Sequence, residues 1–371
     1  MYQNFSRIVA IVRSISVPIP SRKDFLYLGC VAMIYFFVAR LSLSLVLESE
    51  GIAAIWPPSG IFLASLLLCR HELRPWLVGV LFVINLVAEL LAGTPLHVGF
   101  IYALALTGDA VLGAWLLLRF VGEPITFTQV RDVFGFLILA VICSNAIMSL
   151  LAATGSMLLP ETDFWNSFRW WMISAGIGNL LLTPFIIGWF CQAKTGLNDW
   201  KPKRFAEGAL LGFVLVFASY ISFSHIPENG QFSLLATYFF LPPLMWAALR
   251  FGLCGATLAL LTLAVFAVRY AVSARGIVVQ FYDVQLDALI VTQLYLAVMA
   301  VPTLFLTAVM SEYQREERAA RENEARLRLA VSASDMGLWD WDLRTNTVYF
   351  SPEWKSQIGY RDDEISNHFD E

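Results

Sequence analysis

The chain has 371 residues, of which 58% are apolar or aromatic and only 15% charged, and its mean hydropathy is +0.66. Soluble domains average roughly 45–50% apolar and about 25% charged, which excludes an ordinary water-soluble enzyme. The formal charge of −4 is unevenly spread, because residues 312–371 concentrate charged side chains behind a long apolar body.

A membrane-crossing helix needs about 20 predominantly apolar residues. Ten segments meet that requirement, at approximately 25–47, 52–69, 75–93, 98–119, 133–158, 168–191, 207–224, 232–249, 253–271 and 285–310. Residues 133–160, 170–193 and 288–311 contain no Asp, Glu, Lys or Arg at all. The eighth and ninth segments are short and separated only by Arg250-Phe251-Gly252, so an eight-span count is the alternative. Residues 1–24 lack an apolar core followed by a small-residue cleavage site, and are expected as a cytoplasmic N-terminal segment rather than a removed signal peptide. With the N-terminus inside, the inner segments carry 13 basic residues, among them Arg22, Arg70, Arg74, Arg119, Lys194, Lys203, Arg204 and Arg250. The opposite turns are acidic or neutral, as in Glu48-Ser-Glu50 and Pro160-Glu-Thr-Asp163. Positive charge collects on the cytoplasmic side, so both termini are expected there.

Ionisable side chains inside a bilayer cost a few kcal/mol each and are functional candidates by default. Arg40 and Glu89 fall in the outer halves of the first and third spans and are plausible partners for each other. Asp109 lies near the middle of the fourth span, at a depth similar to Asn145 and Asn179, and Asn85 sits one helical turn before Glu89. Trp56-Pro57-Pro58-Ser59-Gly60 is the most unusual string: two prolines stop regular helix, and the freed carbonyls must be satisfied inside protein or water. These nine positions, Arg40, Trp56, Pro57, Pro58, Asn85, Glu89, Asp109, Asn145 and Asn179, make up the candidate ligand-binding site, a polar cavity open to the outer side. The competing explanation is that the polar groups only bridge helices, as amides and carboxyls commonly do in membranes. Leu241-Pro242-Pro243 repeats the proline device, each pair being followed by an Ala/Leu-rich run ending in arginine (Arg70, Arg250), which raises an internal duplication against simple helix kinking. Trp76, Trp165 and Trp170-Trp171 read as interfacial anchors. Five scattered cysteines and four histidines show no ligand spacing, so no metal, cofactor or catalytic set is indicated.

Residues 311–330 are rich in helix formers, with opposite charges at i,i+3 and i,i+4 such as Glu317 with Arg321 and Glu322 with Arg326, and are expected as a cytoplasmic linker helix continuing the last span. Residues 331–371 change to two short strands, 337–342 and 347–350, and a helix opened by Ser351-Pro352. Two strands and one helix enclose too little core to stand alone, so this part is expected as the beginning of a longer domain.

Three strings, Trp56-Pro-Pro-Ser-Gly-Ile-Phe-Leu-Ala-Ser-Leu-Leu-Leu68, Gly178-Asn-Leu-Leu-Leu-Thr-Pro184 and Leu241-Pro-Pro-Leu-Met-Trp-Ala-Ala-Leu-Arg-Phe-Gly252, resemble the bacterial membrane-associated sensor domain of the first type, the MASE family. Arg328-Leu-Ala-Val-Ser-Ala-Ser-Asp-Met-Gly-Leu-Trp-Asp-Trp-Asp342 and Trp354-Lys-Ser-Gln-Ile-Gly-Tyr360 resemble the opening of a PAS domain. Near the double tryptophan, related sequences often have an aspartate where this chain has Ser174-Ala175, so a role for that carboxylate does not carry over. The family is usually drawn with about eight spans. The resemblance implies an all-α polytopic membrane helix bundle over 25–310, then a signalling helix and a truncated α/β PAS domain. It implies a sensory input module that answers an unknown small ligand or membrane partner protein, works as a homodimer through the linker helix and PAS domain, and feeds a diguanylate cyclase, phosphodiesterase or histidine kinase output. No GGDEF, EAL, phospho-accepting histidine or ATP-binding glycine motif occurs in the chain, so no catalytic activity of its own is expected, and nothing points to nucleic acid. A transporter, suggested by the broken spans, and a structural membrane anchor are the competing functions.

Overall fold

The computed structural model describes residues 20–44, 55–160, 162–195, 202–224, 239–272, 285–333 and 337–365. The first nineteen residues and the acidic turn at Glu48–Glu50 used in the sidedness argument lie outside that set. The chain forms two compact units, Met1–Ser311 and Glu312–Glu371.

The first unit is entirely helical in its described part. Its elements are α1 (Arg22–Ser44), α2 (Pro57–Leu68), α3 (Arg74–Leu91, entered through a 3-10 turn at His71–Leu73), α4 (Leu96–Phe120) and α5 (Val130–Ser156). They continue with α6 (Phe164–Thr195), α7 (Pro202–Ser224), α8 (Leu241–Val272) and the start of α9 (Gln285–Ala333). Among the described residues eight helices are long and apolar enough to cross a membrane. Their outer faces carry bare apolar side chains: Phe37 is 66% exposed and Val265 65% exposed. Water would penalise such surface at about 25 cal/mol per Å², whereas lipid solvates it.

Eight long helices rather than ten follow from the two proline pairs. Pro57 and Pro58 open α2 at its first turn, and Trp56 ahead of them is non-helical (φ −115°, ψ 73°), so the second expected span holds a helix of only 12 residues. That helix rises about 18 Å, too little for the roughly 30 Å hydrocarbon core. The described part of the eighth expected span and the ninth form α8, whose continuity breaks at Gly252 (φ 63°, ψ −151°), while residues 232–238 lie outside the described set. A Cβ placed on Gly255 would lie 3.3 Å from the carbonyl oxygen of Ala247, eight residues earlier. A straight helix separates such residues by about 12 Å. The chain therefore folds back at Gly252, and the arm 241–251 is a second half-length helix set against the full-length arm 253–272. A positive φ of this kind is readily available only to glycine.

Both half-length helices end on the side where the preceding long helix begins. Arg70, just past α2, pairs with Asp24 in the first turn of α1, and Arg250 pairs through Nε with Glu207 near the start of α7 at 2.7 Å. Arg74 at the head of α3 likewise pairs with Glu123, just past α4, at 2.6 Å. The basic residues assigned to one side by the charge rule are thus cross-linked on one side of the bundle.

The helix α2 is the centre of this unit, with every residue from Pro58 to Leu66 buried. It packs on α6 through facing glycines: a Cβ on Gly60 would collide with the Gly178 carbonyl, and one on Gly178 would overlap the Trp56 carbonyl. Helix α5 departs from α geometry over Phe136–Ser144, which is π-helical. This wider winding turns two consecutive polar residues inward, Ser144 (0% exposed) and Asn145 (2% exposed).

The second unit holds the charged remainder of α9, with ion pairs Glu317–Arg321 and Glu324–Arg328 at i,i+4. It also holds an antiparallel hairpin, β1 (Trp339–Asp342) with β2 (Thr347–Phe350), in register Trp339 with Phe350 and Asp342 with Thr347. Asn346 (φ 53°) closes the turn. Helix α10 (Pro352–Gln357) has Ser351 as its N-cap, whose Oγ accepts from the Trp354 and Leu338 N–H groups. These are the strands, turn and capped helix that the sequence pattern predicts.

Candidate functional site

One stretch of α6, from Met172 to Thr183, gathers the polar interior of the bundle. The Trp56 N–H donates to the Ser174 carbonyl at 3.1 Å, which anchors the entry to α2. Asn145 Nδ2 donates to the Met172 carbonyl, and Ser149 Oγ donates to Asn145 Oδ1 at 3.3 Å. Asn179 Nδ2 donates to Asp109 Oδ2 at 3.0 Å, and Thr183 Oγ1 donates to the Gly60 carbonyl at 3.3 Å. The second carboxylate oxygen of Asp109 receives Ser144 Oγ at 3.0 Å, with the Asp109 carbonyl 2.7 Å from the same hydroxyl. Helices α2, α4 and α5 are therefore joined to α6 by side chains that are almost wholly buried.

A second pair lies on the other flank of α2. Tyr35 on α1 donates through its hydroxyl to Asn85 Oδ1 on α3 at 2.7 Å, while its ring meets Phe62 of α2 edge-on at 6.0 Å. Asp109 and Glu89 both lie within electrostatic reach of the Tyr35 hydroxyl. Glu89, 6% exposed, accepts from Thr94 Oγ1 at 3.0 Å. Neither carboxylate has a basic partner among the described residues.

The expected Arg40–Glu89 pair does not form. Tyr35 and Arg40 are five residues apart, about 140° around the helix, so the Tyr35 face that meets α3 carries Ala39 and Ser42, both buried, and not Arg40, which is half-buried. Pro57 and Pro58 shape the start of α2 and carry no polar contact. Trp56, Asn85, Asp109, Asn145 and Asn179 all lie in the interior, with Glu89 nearer the end of α3. Trp170 departs from its expected role as an interfacial anchor, being 2% exposed, and Trp171 is half-buried against the Tyr102 ring at 4.8 Å, whereas Trp165 is 65% exposed.

Several of these side chains keep unused hydrogen-bonding capacity. Trp56 Nε1, Ser59 Oγ, Asn85 Nδ2 and Asn179 Oδ1 are buried with no partner among the described residues. Each such group costs about 1–3 kcal/mol when left unmet, so four of them around one half-helix is a strong preference for a polar guest or ordered water. Sequence reading did not single out Tyr35, Ser144, Thr94 or the Gly60–Gly178 contact. The Ser144-Asn145 doublet in an apolar run was the one available signal; the α6 carbonyls leave none, because every residue has a carbonyl.

Residues 27–314 match the MASE1 family. The chain belongs to that family of membrane sensor domains. It is also 24% identical over 317 residues to the protein called probable diguanylate cyclase DgcE of Escherichia coli strain K12, a match spanning 84% of this chain and 27% of that protein. The chain thus corresponds to about a quarter of its relative. No solved structure matches. Together with the eight apolar helices, the MASE1 match makes this a bacterial multi-pass membrane protein of the sensory class.

Proposed function

We propose that the MASE1 bundle receives a small polar ligand or a membrane partner at the α2–α6 polar core and relays the change through α9 to a cytoplasmic PAS segment and an output domain. The observation that carries this reading is the set of buried carboxylates without basic partners, beside unfilled amide and hydroxyl groups, at the seam of a half-length helix. Such groups are costly to bury, since a charge within the bilayer costs about 2.5–3.5 kcal/mol even on insertion scales, and a ligand or partner that meets them would recover part of that cost. Helix α9 supports the relay: it passes from an apolar stretch into the charged segment without interruption. The basic collar supports a cytoplasmic location for both ends, and homodimerisation through the charged part of α9 would suit the signalling role.

The test is a chimera in which this chain replaces the matching region of the E. coli relative, with cyclic di-GMP read in cells. Asp109→Ala or Asn179→Leu should lock the output high or low while the chimera still reaches the membrane in normal amount. Output that still responds as the parent does, in both variants, overturns the reading. The two half-length helices favour a second reading, a transporter, because discontinuous helices line many transport sites. Solute uptake by proteoliposomes containing this chain would establish it.

A further inference from the structure

A cavity of about 290 Å³ lies between α7, the second arm of α8 and the end of α6, away from the polar core. Small residues line it on both helices, Gly208 and Gly212 on α7 with Gly255 and Ala259 on α8, walled by Phe205 and Trp189. It is open sideways: Phe205 is 65% exposed, and the lining residue Leu258 is 48% exposed, on a surface that meets lipid. A groove of this size, at the lower end of the range for ligand pockets, with apolar walls and a lateral mouth, suits an acyl chain.

One end of the groove is charged. Phe205 and Phe251 mark that end, and beside them lie Lys203, Arg204, Glu207 and Arg250. Arg250 is held by Glu207 through two nitrogens, at 2.7 and 3.1 Å, and Arg204 Nη2 donates to the Arg250 carbonyl at 3.1 Å. Three positive groups against one negative leave a surplus of two at the mouth. Trp189 lines the wall, and its buried indole N–H has no partner among the described residues.

We infer that this groove is a binding site for one anionic glycerophospholipid, with an acyl chain between α7 and α8 and the headgroup phosphate on Lys203 and Arg204. Charge complementarity selects this occupant over a zwitterionic lipid. A basic residue near an anionic membrane surface contributes about 1 kcal/mol, roughly fivefold in occupancy.

Native mass spectrometry of the whole chain released from nanodiscs holding equal phosphatidylglycerol and phosphatidylcholine tests this. The wild type should retain phosphatidylglycerol at least fivefold over phosphatidylcholine. Lys203→Ala with Arg204→Ala should bring the two lipids close to parity. Gly212→Phe should lower retention of both, and it fits the fold because a Cβ at Gly212 meets nothing within 4 Å; Ala209→Phe, at an exposed lining position, serves if the first variant loses its helical circular dichroism. An unchanged preference in the double variant, or undiminished retention in the filled groove, overturns the assignment. So does a lipid-free dimer that Gly212→Phe converts to monomer, since the groove would then be a contact between copies.

Discussion

Replacing Gly178 by alanine sets a methyl group against the Trp56 carbonyl, and backbone at both sides of that contact has nowhere to move. Overpacking of this kind costs about 1–3 kcal/mol. Gly178→Ala should lower the thermal midpoint of the detergent-solubilised chain clearly, and Gly212→Ala, facing open space, should not; equal midpoints for the two would contradict the close α2–α6 approach. At Asp109 the argument concerns hydrogen bonds. Asp109→Ala leaves the Asn179 amide and the Ser144 hydroxyl without their shared side-chain acceptor, an expected loss of about 1–3 kcal/mol, whereas Asp109→Asn keeps one acceptor oxygen and should fall between alanine and wild type in the same melt.

At the level of elements, one device occurs twice. A long helix, a half-length helix opened by a proline pair, a terminal arginine and another long helix follow one another in 22–91 and again in 202–272. In each copy the arginine returns to an acid near the start of the first long helix, Arg70 to Asp24 and Arg250 to Glu207. The pairs fix where the half-length helix ends rather than supply much stability, since exposed ion pairs are worth little. Reversing one charge, as in Arg70→Asp, should reduce the monodisperse fraction on size-exclusion chromatography, and adding Asp24→Arg should restore it. No recovery in the double variant would mean that the pair does not set this register. The π-helical run in α5 is the other decisive element, because it brings Ser144 to Asp109 while Asn145 reaches Met172.

For the whole molecule, the consequential feature is that α9 belongs to both compact units, Ser311 closing the first and Glu312 opening the second within one helix. Glycine costs about 1 kcal/mol per residue in a helix interior, so a pair of glycines inserted between Ala319 and Ala320 weakens the continuous helix without touching the bundle. In the chimera with the relative, that insertion should abolish dependence of cyclic di-GMP output on Asp109 while leaving membrane insertion intact. Retained dependence would show that the signal takes another route.

The sequence by itself determined the membrane class, the apolar segments that contain the long helices, the charged end of α9 and the hairpin and capped helix of the second unit. Each of these is local: hydropathy, charge and turn chemistry act over a few neighbouring residues. It also named five of the buried polar residues, Asn85, Glu89, Asp109, Asn145 and Asn179, since lipid makes amides and carboxyls conspicuous while buried serines and threonines pass unnoticed. Only the tertiary structure decided which of them meet. Arg40 turned away from Glu89 because helix rotation is set by Tyr35 reaching Asn85, and the second and eighth segments became half-length because a proline pair opens each helix late and the chain turns soon afterwards, at Gly252 in the eighth. The Gly60–Gly178 approach and the Trp56 bond to the Ser174 carbonyl joined residues more than a hundred positions apart, through backbone groups that every residue possesses and no sequence pattern distinguishes.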